Sequence, residues 1–187
     1  TIGTACNAAD CYLEVDESSG SSCTNSDGNT SYVKSSTTNA SQTFDLNLSG
    51  IPNDSVISQI NIILCYAKDA VGPGNDFKTR RCIAGSCIDH STAIAAEETT
   101  YAETTQSHTG LSITKSSSTD LEIGMTLTGN KTNPTRISQI SAIITYTPPS
   151  TPTPTPGGGV GEATVETVRV GGGNDPAKII FSGKAYP

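Results

Sequence analysis

"ISQINIILCYA" (residues 57–67) and "ISQISAIITYT" (residues 137–147) are nearly the same line written twice in one chain. In the first, Ile60, Ile62, Leu64 and Tyr66 fall on alternate positions; in the second, Ile140, Ala142, Ile144 and Tyr146 do the same. Successive side chains of a strand point to opposite sides, so each set lines one face of a pleated strand. Ile63 and Ile143 sit on the reverse faces, which must then be at least partly covered. Both stretches are rich in β-branched residues, contain no Pro or Gly, and are long for strands. They predict two long strands with matching environments in one sandwich.

Working outward, weaker strand candidates occur at residues 12–15, 31–35, 42–48, 77–82, 111–115 and 121–128. Turn clusters such as "NSDGN", "SGIPND" and "TGNKTNP" separate them at the spacing of an all-β sandwich. Only "HSTAIAAEETTYAET" (residues 90–104) invites a helix, and its Thr content argues for loop or edge strand. Charged residues make up 16% of the 187, and Ser, Thr, Gly and Asn take their place. A net charge of −7 with few Lys and Arg provides no basic stripe for nucleic acid. No apolar run approaches the ~18 residues needed to cross a bilayer. The start at Thr1, with no charged-then-apolar leader, reads as a mature, processed product.

The six cysteines set the compartment. Cys6 and Cys11 have the same spacing as Cys82 and Cys87, which leaves Cys23 and Cys65. Neither His90 nor His108 supplies a second cluster of the kind a zinc site needs. Six cysteines permit many pairings; the favoured set is Cys6–Cys11, Cys82–Cys87 and Cys23–Cys65. An even count in a Ser/Thr-rich chain points to an oxidising space, and hence to an extracellular, secreted protein.

The order "YVKSS", "TFDLNLSGIPNDSVISQINIILCYA", "LEIGMTLTG", "TRISQISAIITYTP" resembles a jelly-roll, lectin-like β-sandwich of large secreted bacterial surface proteins. The resemblance spans roughly residues 32–147 and rests on hydrophobic and turn patterns, which speak to fold rather than activity. It implies that the strand following the turn at residues 51–57 pairs in the core with a closing strand from Arg136 to Tyr146. It also implies lectin-like or carbohydrate-binding use, with cell-surface or extracellular glycans as partners. No sugar-binding residue carries over, and the chain contains no Trp.

At Pro148 the chemistry changes. "PPSTPTPTP" cannot join a ladder, because its prolines lack donors and hold φ near the polyproline II value. With the glycines behind it, the spacer can reach roughly 40 Å at ~3.1 Å per residue. Then come two strand-like stretches, "EATVETVRV" (residues 162–170) and "AKIIFSGKAYP" (residues 177–187). In the second, Ala177, Ile179, Phe181 and Ala185 share an apolar face. "IIFSGKAYP" resembles the first strand of an immunoglobulin-like or carboxypeptidase-regulatory-like domain. Two such strands cannot stand as a domain of their own, so the last one must find a partner in its parent sandwich or in a neighbouring copy.

Other chemistry is thin. "CIDHS" sets Asp89, His90 and Ser91 side by side, but neighbours on a strand diverge and do not converge as a triad. His108 reads as a solvated loop residue. Catalytic residues are not expected, and neither is a cofactor. Calcium is the one ion to consider, at "EVDES" (residues 14–18) or "NSDGN" (residues 25–29), though turn residues bonding their own backbone explain both runs. N-glycosylation sequons occur at Asn29, Asn39, Asn47, Asn53 and Asn130.

The expectation is therefore an all-β, jelly-roll/immunoglobulin-like sandwich at residues 1–147, a linker at 148–161 and a strand-forming tail at 162–187. Its expected role is the pilus-like structural subunit of an extracellular filament. Polymerisation would run head to tail by donor-strand complementation, with copies of itself as partners. The alternative is a carbohydrate-binding or adhesive module that serves cell adhesion.

Overall fold

The two near-identical lines become the longest described strands, and they lie side by side. In this computed structural model, which describes Cys23 and residues 32–35, 37–116, 118–129, 133–150 and 164–170, β3 (Val56–Lys68) pairs antiparallel with β9 (Thr135–Thr147). Ile60 faces Ile144, Ile62 faces Ala142 and Leu64 faces Ile140, all of them fully buried. The shared wording reflects a shared position: both are middle strands of one sheet. Ile63 and Ile143 on the reverse face are half-buried.

The other described strands are β1 (Val33–Ser35), β2 (Ser41–Asp45), β4 (Phe77–Ile83), β5 (Ser86–Asp89), β6 (Ala102–His108), β7 (Ile113–Thr114), β8 (Leu121–Leu127) and β10 (Thr164–Val170). One sheet runs β1-β9-β3-β6, with β7 added to β3 beyond β6 and β10 added to β9 beyond β1. Six strands thus fill four positions. The second sheet runs β2-β8-β4-β5. The pairs β4·β5, β3·β6, β2·β8 and β1·β9 are nested, so the chain is one long hairpin rolled up until β3 meets β9 and β4 meets β8. That is jelly-roll connectivity, in an all-β antiparallel sandwich with no α-helix among the described residues.

At the tip of the rolled hairpin, Ala84 and Gly85 form a two-residue turn with φ of 48° and 77°. Positive φ at both positions gives the turn the right-handed twist of its flanking strands. Between the sheets, Phe44, Ile51, Phe77, Leu121, Ile123, Met125 and Leu127 close over the β3–β9 faces. The ring of Tyr66 lies 5.0 Å from that of Phe77, tilted by 60°. Two register shifts interrupt the β3–β9 ladder: one leaves Ser58 unopposed between Ile57 and Gln59, and at the other Cys65 faces Gln139 and Tyr66 faces Ile137, which leaves Ser138 unopposed. This second bulge reverses the alternation of β9 and turns Ile137 into the core, where it is 2% exposed.

Several elements depart from the sequence reading. β5 was not anticipated as a strand, β6 coincides with the loop-or-edge-strand reading of residues 90–104 only at its first three residues, and residues 111–115 contribute only Ile113–Thr114. Residues 90–101 form no helix; Ile94 bridges to Phe77 there before β6 begins. The candidate strand at residues 12–15 lies outside the described residues.

Candidate functional site

The feature that distinguishes this sandwich is one edge of β9. Along its other side β9 is paired with β3 throughout. On the free side, β1 covers only Thr135 to Ile137, and β10 covers the next stretch, with Thr164 opposite Tyr146 and Val170 opposite Ile140. The β9 residues beneath β10 read "ISAIITY", without charge, Pro or Gly. Edge strands ordinarily carry Lys, Pro or a bulge to discourage pairing with other chains, and this stretch carries none of them. Left bare, it would be a β-branched, uncharged template for strand addition.

β10 reaches that edge from far along the chain. Residues 148–163 lie between the end of β9 and the start of β10, where antiparallel neighbours ordinarily need roughly two to five. The anticipated donor residues Ala177, Ile179, Phe181 and Ala185 lie outside the described residues. Of the strand-like stretch expected at residues 162–170, Thr164–Val170 is the segment found on the edge.

Two disulfides hold the frame. Cys23–Cys65 has a Cα–Cα distance of 5.5 Å and ties Cys23 to the reverse face of β3. Cys82–Cys87 joins directly opposed residues of β4 and β5, 4.0 Å apart at Cα. Both pairs match the favoured pairing; Cys6 and Cys11 lie outside the described residues. The disulfides suggest an oxidising compartment, and no described helix is long and apolar enough to cross a membrane.

A polar cluster interrupts the core between β6 and β4. The Thr79 amide donates to Gln106 Oε1 at 2.8 Å, Thr79 Oγ1 lies 2.9 Å from His108 Nε2, and Gln106 Nε2 donates to the Thr92 carbonyl at 2.7 Å. His108 is therefore no solvated loop residue. It is the last residue of β6, faces Ile60 across the ladder, and is 7% exposed. Burial, then Arg81 and His90, hold its pKa down to about 4, against a small opposing pull from Asp89. The ring of His90 stands edge-on to that of His108 at 5.6 Å. Alternation in "ETTQSH" was the available signal, since Gln106 and His108 share the core-facing side.

Asp89, His90 and Ser91 do not converge. Arg80 grips the Asp89 carboxylate through Nε at 2.6 Å and Nη2 at 3.2 Å, and Thr126 Oγ1 donates to it at 2.9 Å. Burial opposes that charge, but these hydrogen bonds outweigh it and lower the Asp89 pKa. His90 instead turns towards His108, with the Thr92 amide donating to its Nδ1 at 3.2 Å.

Further charged groups are largely satisfied. Asp69 pairs with Lys34 and Arg136, and both cations lie over the Tyr32 ring, at 5.5 and 4.8 Å from its centroid. Asp45, Asp120 and Glu122 bring carboxylate oxygens within 4.8 Å of one another, two of the three exposed. The calcium candidates at residues 14–18 and 25–29 lie outside the described residues. Among the sequons, Asn39, Asn47 and Asn53 are exposed. Asn47 Oδ1 accepts from the Ser49 amide and Asn53 Oδ1 from Lys115. Asn29 and Asn130 lie outside the described residues. No known protein-family model and no curated protein matches this sequence.

Proposed function

We propose that this protein is the structural subunit of an extracellular filament, that its role is not catalytic, and that it polymerises head to tail through its C-terminal segment with copies of itself as partners. The observation that carries this reading is β10 on the β9 edge, delivered by a spacer far longer than a hairpin requires. A sandwich that needs a strand from beyond a long tether can take that strand from another copy as readily as from itself. A contact of that kind joins two different surfaces, so it does not close on itself and extends into a fibre.

The remaining features support an architectural role. The described disulfides suit a subunit exposed outside the cell. The polar clusters of Thr79, Gln106 and His108 and of Arg80, Asp89 and Thr126 are tied up in hydrogen bonds that brace the sandwich. The test is electron microscopy of the purified chain beside a chain ending at residue 150. Filaments from the full chain alone are expected. A full chain that stays monomeric and binds glycans would favour the adhesive module instead.

A further inference from the structure

Building on the filament reading, we propose that β10 is an exchangeable strand. In the assembled protein, the strand on each β9 edge is Thr164–Val170 of the neighbouring copy, in the register seen here within one chain.

The edge itself gives the first reason. Ile140 to Tyr146 form the uncharged half of a middle strand whose core-facing members are Ile140, Ala142, Ile144 and Tyr146. Seven residues of bare ladder in such a strand invite pairing with any chain, so the slot has to be filled. Filling it from the same copy or from the next makes the same backbone hydrogen bonds at the same register. Exchange therefore forfeits nothing in the ladder, and the tether decides which copy supplies the strand.

The tether's composition opposes a return to its own copy. Prolines stand at 148, 149, 152, 154 and 156. Each fixes its own φ and drives the residue before it out of the helical region. A proline-rich sequence of that kind favours the polyproline II conformation, in which nine residues span roughly 28 Å at ~3.1 Å per residue. The following residues, 157–163, reach at most about 25 Å when fully extended. Yet Thr164 must come back to lie opposite Tyr146, one residue from the end of β9. Closure within one copy consumes nearly all of that reach and the freedom of the glycines at 157–159 and 161. Pairing with another copy needs no reversal. The stiff run lowers the effective concentration of β10 at its own edge, so a neighbour at high local concentration displaces it.

The experiment uses two full-length chains, one carrying Thr145→Cys and the other Val165→Cys, since these positions are Cα partners across the ladder. Neither chain can form the new disulfide alone. The two are mixed, assembled, oxidised and analysed by non-reducing gel and peptide mass spectrometry. A 145–165 crosslink between the chains is expected as the main new product in filaments. Filaments without it, together with a within-chain crosslink in the doubly substituted chain, would overturn exchange while leaving the filament reading intact. No filament and no interchain crosslink at any concentration would end both. A second variant replaces residues 147–163 with Asn-Gly, a two-residue turn that holds β10 on its own β9. It should keep the melting temperature of the parent and remain monomeric; filaments from it would also overturn exchange.

Discussion

Ile60 and Ile144 face each other across the β3–β9 ladder, and neither is exposed to solvent. They are the point at which the two repeated lines of sequence meet at the centre of the sandwich. Ile60→Ala or Ile144→Ala removes atoms from a site whose neighbours are held on both sides by the ladder. Each should cost about 2–5 kcal/mol. The double variant should cost less than the sum of the two, because both enlarge one shared cavity. Urea unfolding of the four proteins measures this.

Gly124 of β8 is pressed against the Gln42–Thr43 backbone of β2, which occupies the space a Cβ would need. Gly124→Ala has no flexible side chain to displace; it pushes the edge strand itself away. Destabilisation of about 3 kcal/mol is expected, at the upper end of overpacking costs, with amide exchange accelerated first in β2.

The buried His108 makes stability depend on pH. Its folded pKa of about 4 lies below the ordinary value of 6.5, so the unfolded chain binds more protons between these two values. Its contribution is complete above about pH 6.5, falls as the pH drops towards 4, and levels off below that. Burial is the main cause of the shift, the charges of Arg81 and His90 add to it, and Asp89 opposes it. The loss across this window should be roughly 3 kcal/mol. His108→Gln, which keeps a hydrogen-bonding side chain opposite Thr79, should flatten the profile between pH 6.5 and 4. An unchanged profile would remove His108 as the cause.

The two disulfides should not contribute equally. Cys23–Cys65 closes a separation of 42 residues, while Cys82–Cys87 closes one of 5 across a hairpin that its turn already joins. Chain-entropy arguments give about 4 kcal/mol for the first and about 2 for the second. Replacing each pair with Ser and comparing thermal unfolding should show the larger loss at Cys23–Cys65.

The turn at Ala84-Gly85 carries a non-glycine residue at φ 48°. Asn tolerates that conformation and suits the first position of such a turn. Ala84→Asn should therefore stabilise the β4–β5 hairpin by about 0.5 kcal/mol, read as a small rise in melting temperature.

Much of the frame was legible in the sequence, for reasons specific to each element. β3 and β9 are long and strongly alternating, so their buried residues could be named one by one. β8 was recognisable because its apolar positions Leu121, Ile123, Met125 and Leu127 also keep to period two, whereas β4 shows no such alternation, its apolar residues being Phe77, Cys82 and Ile83. β5 escaped notice and β6 was met only at its start, because they are edge strands with mainly polar faces: β6 turns Gln106 and His108 inward, where hydrophobic patterning expects apolar residues. Cys82–Cys87 was favoured on its spacing, and Cys23–Cys65 as the pair that remained. The polar cluster did not, because Thr79 and His108 meet only once the hairpin has been rolled and the sheets stacked. The role of residues 164–170 was half visible: their strand character can be read from alternation, but the edge they cover depends on the register of the whole sheet.

Completion of the sandwich by its C-terminal strand is the premise on which filament growth rests. Residue-resolved amide hydrogen exchange on the full chain and on a chain ending at residue 150 measures this directly. Without β10, the β9 amides among Ile140 to Tyr146 that point away from β3 should exchange freely, while those bonded to β3 stay protected. Equal protection of both sets in the shortened chain would contradict the account.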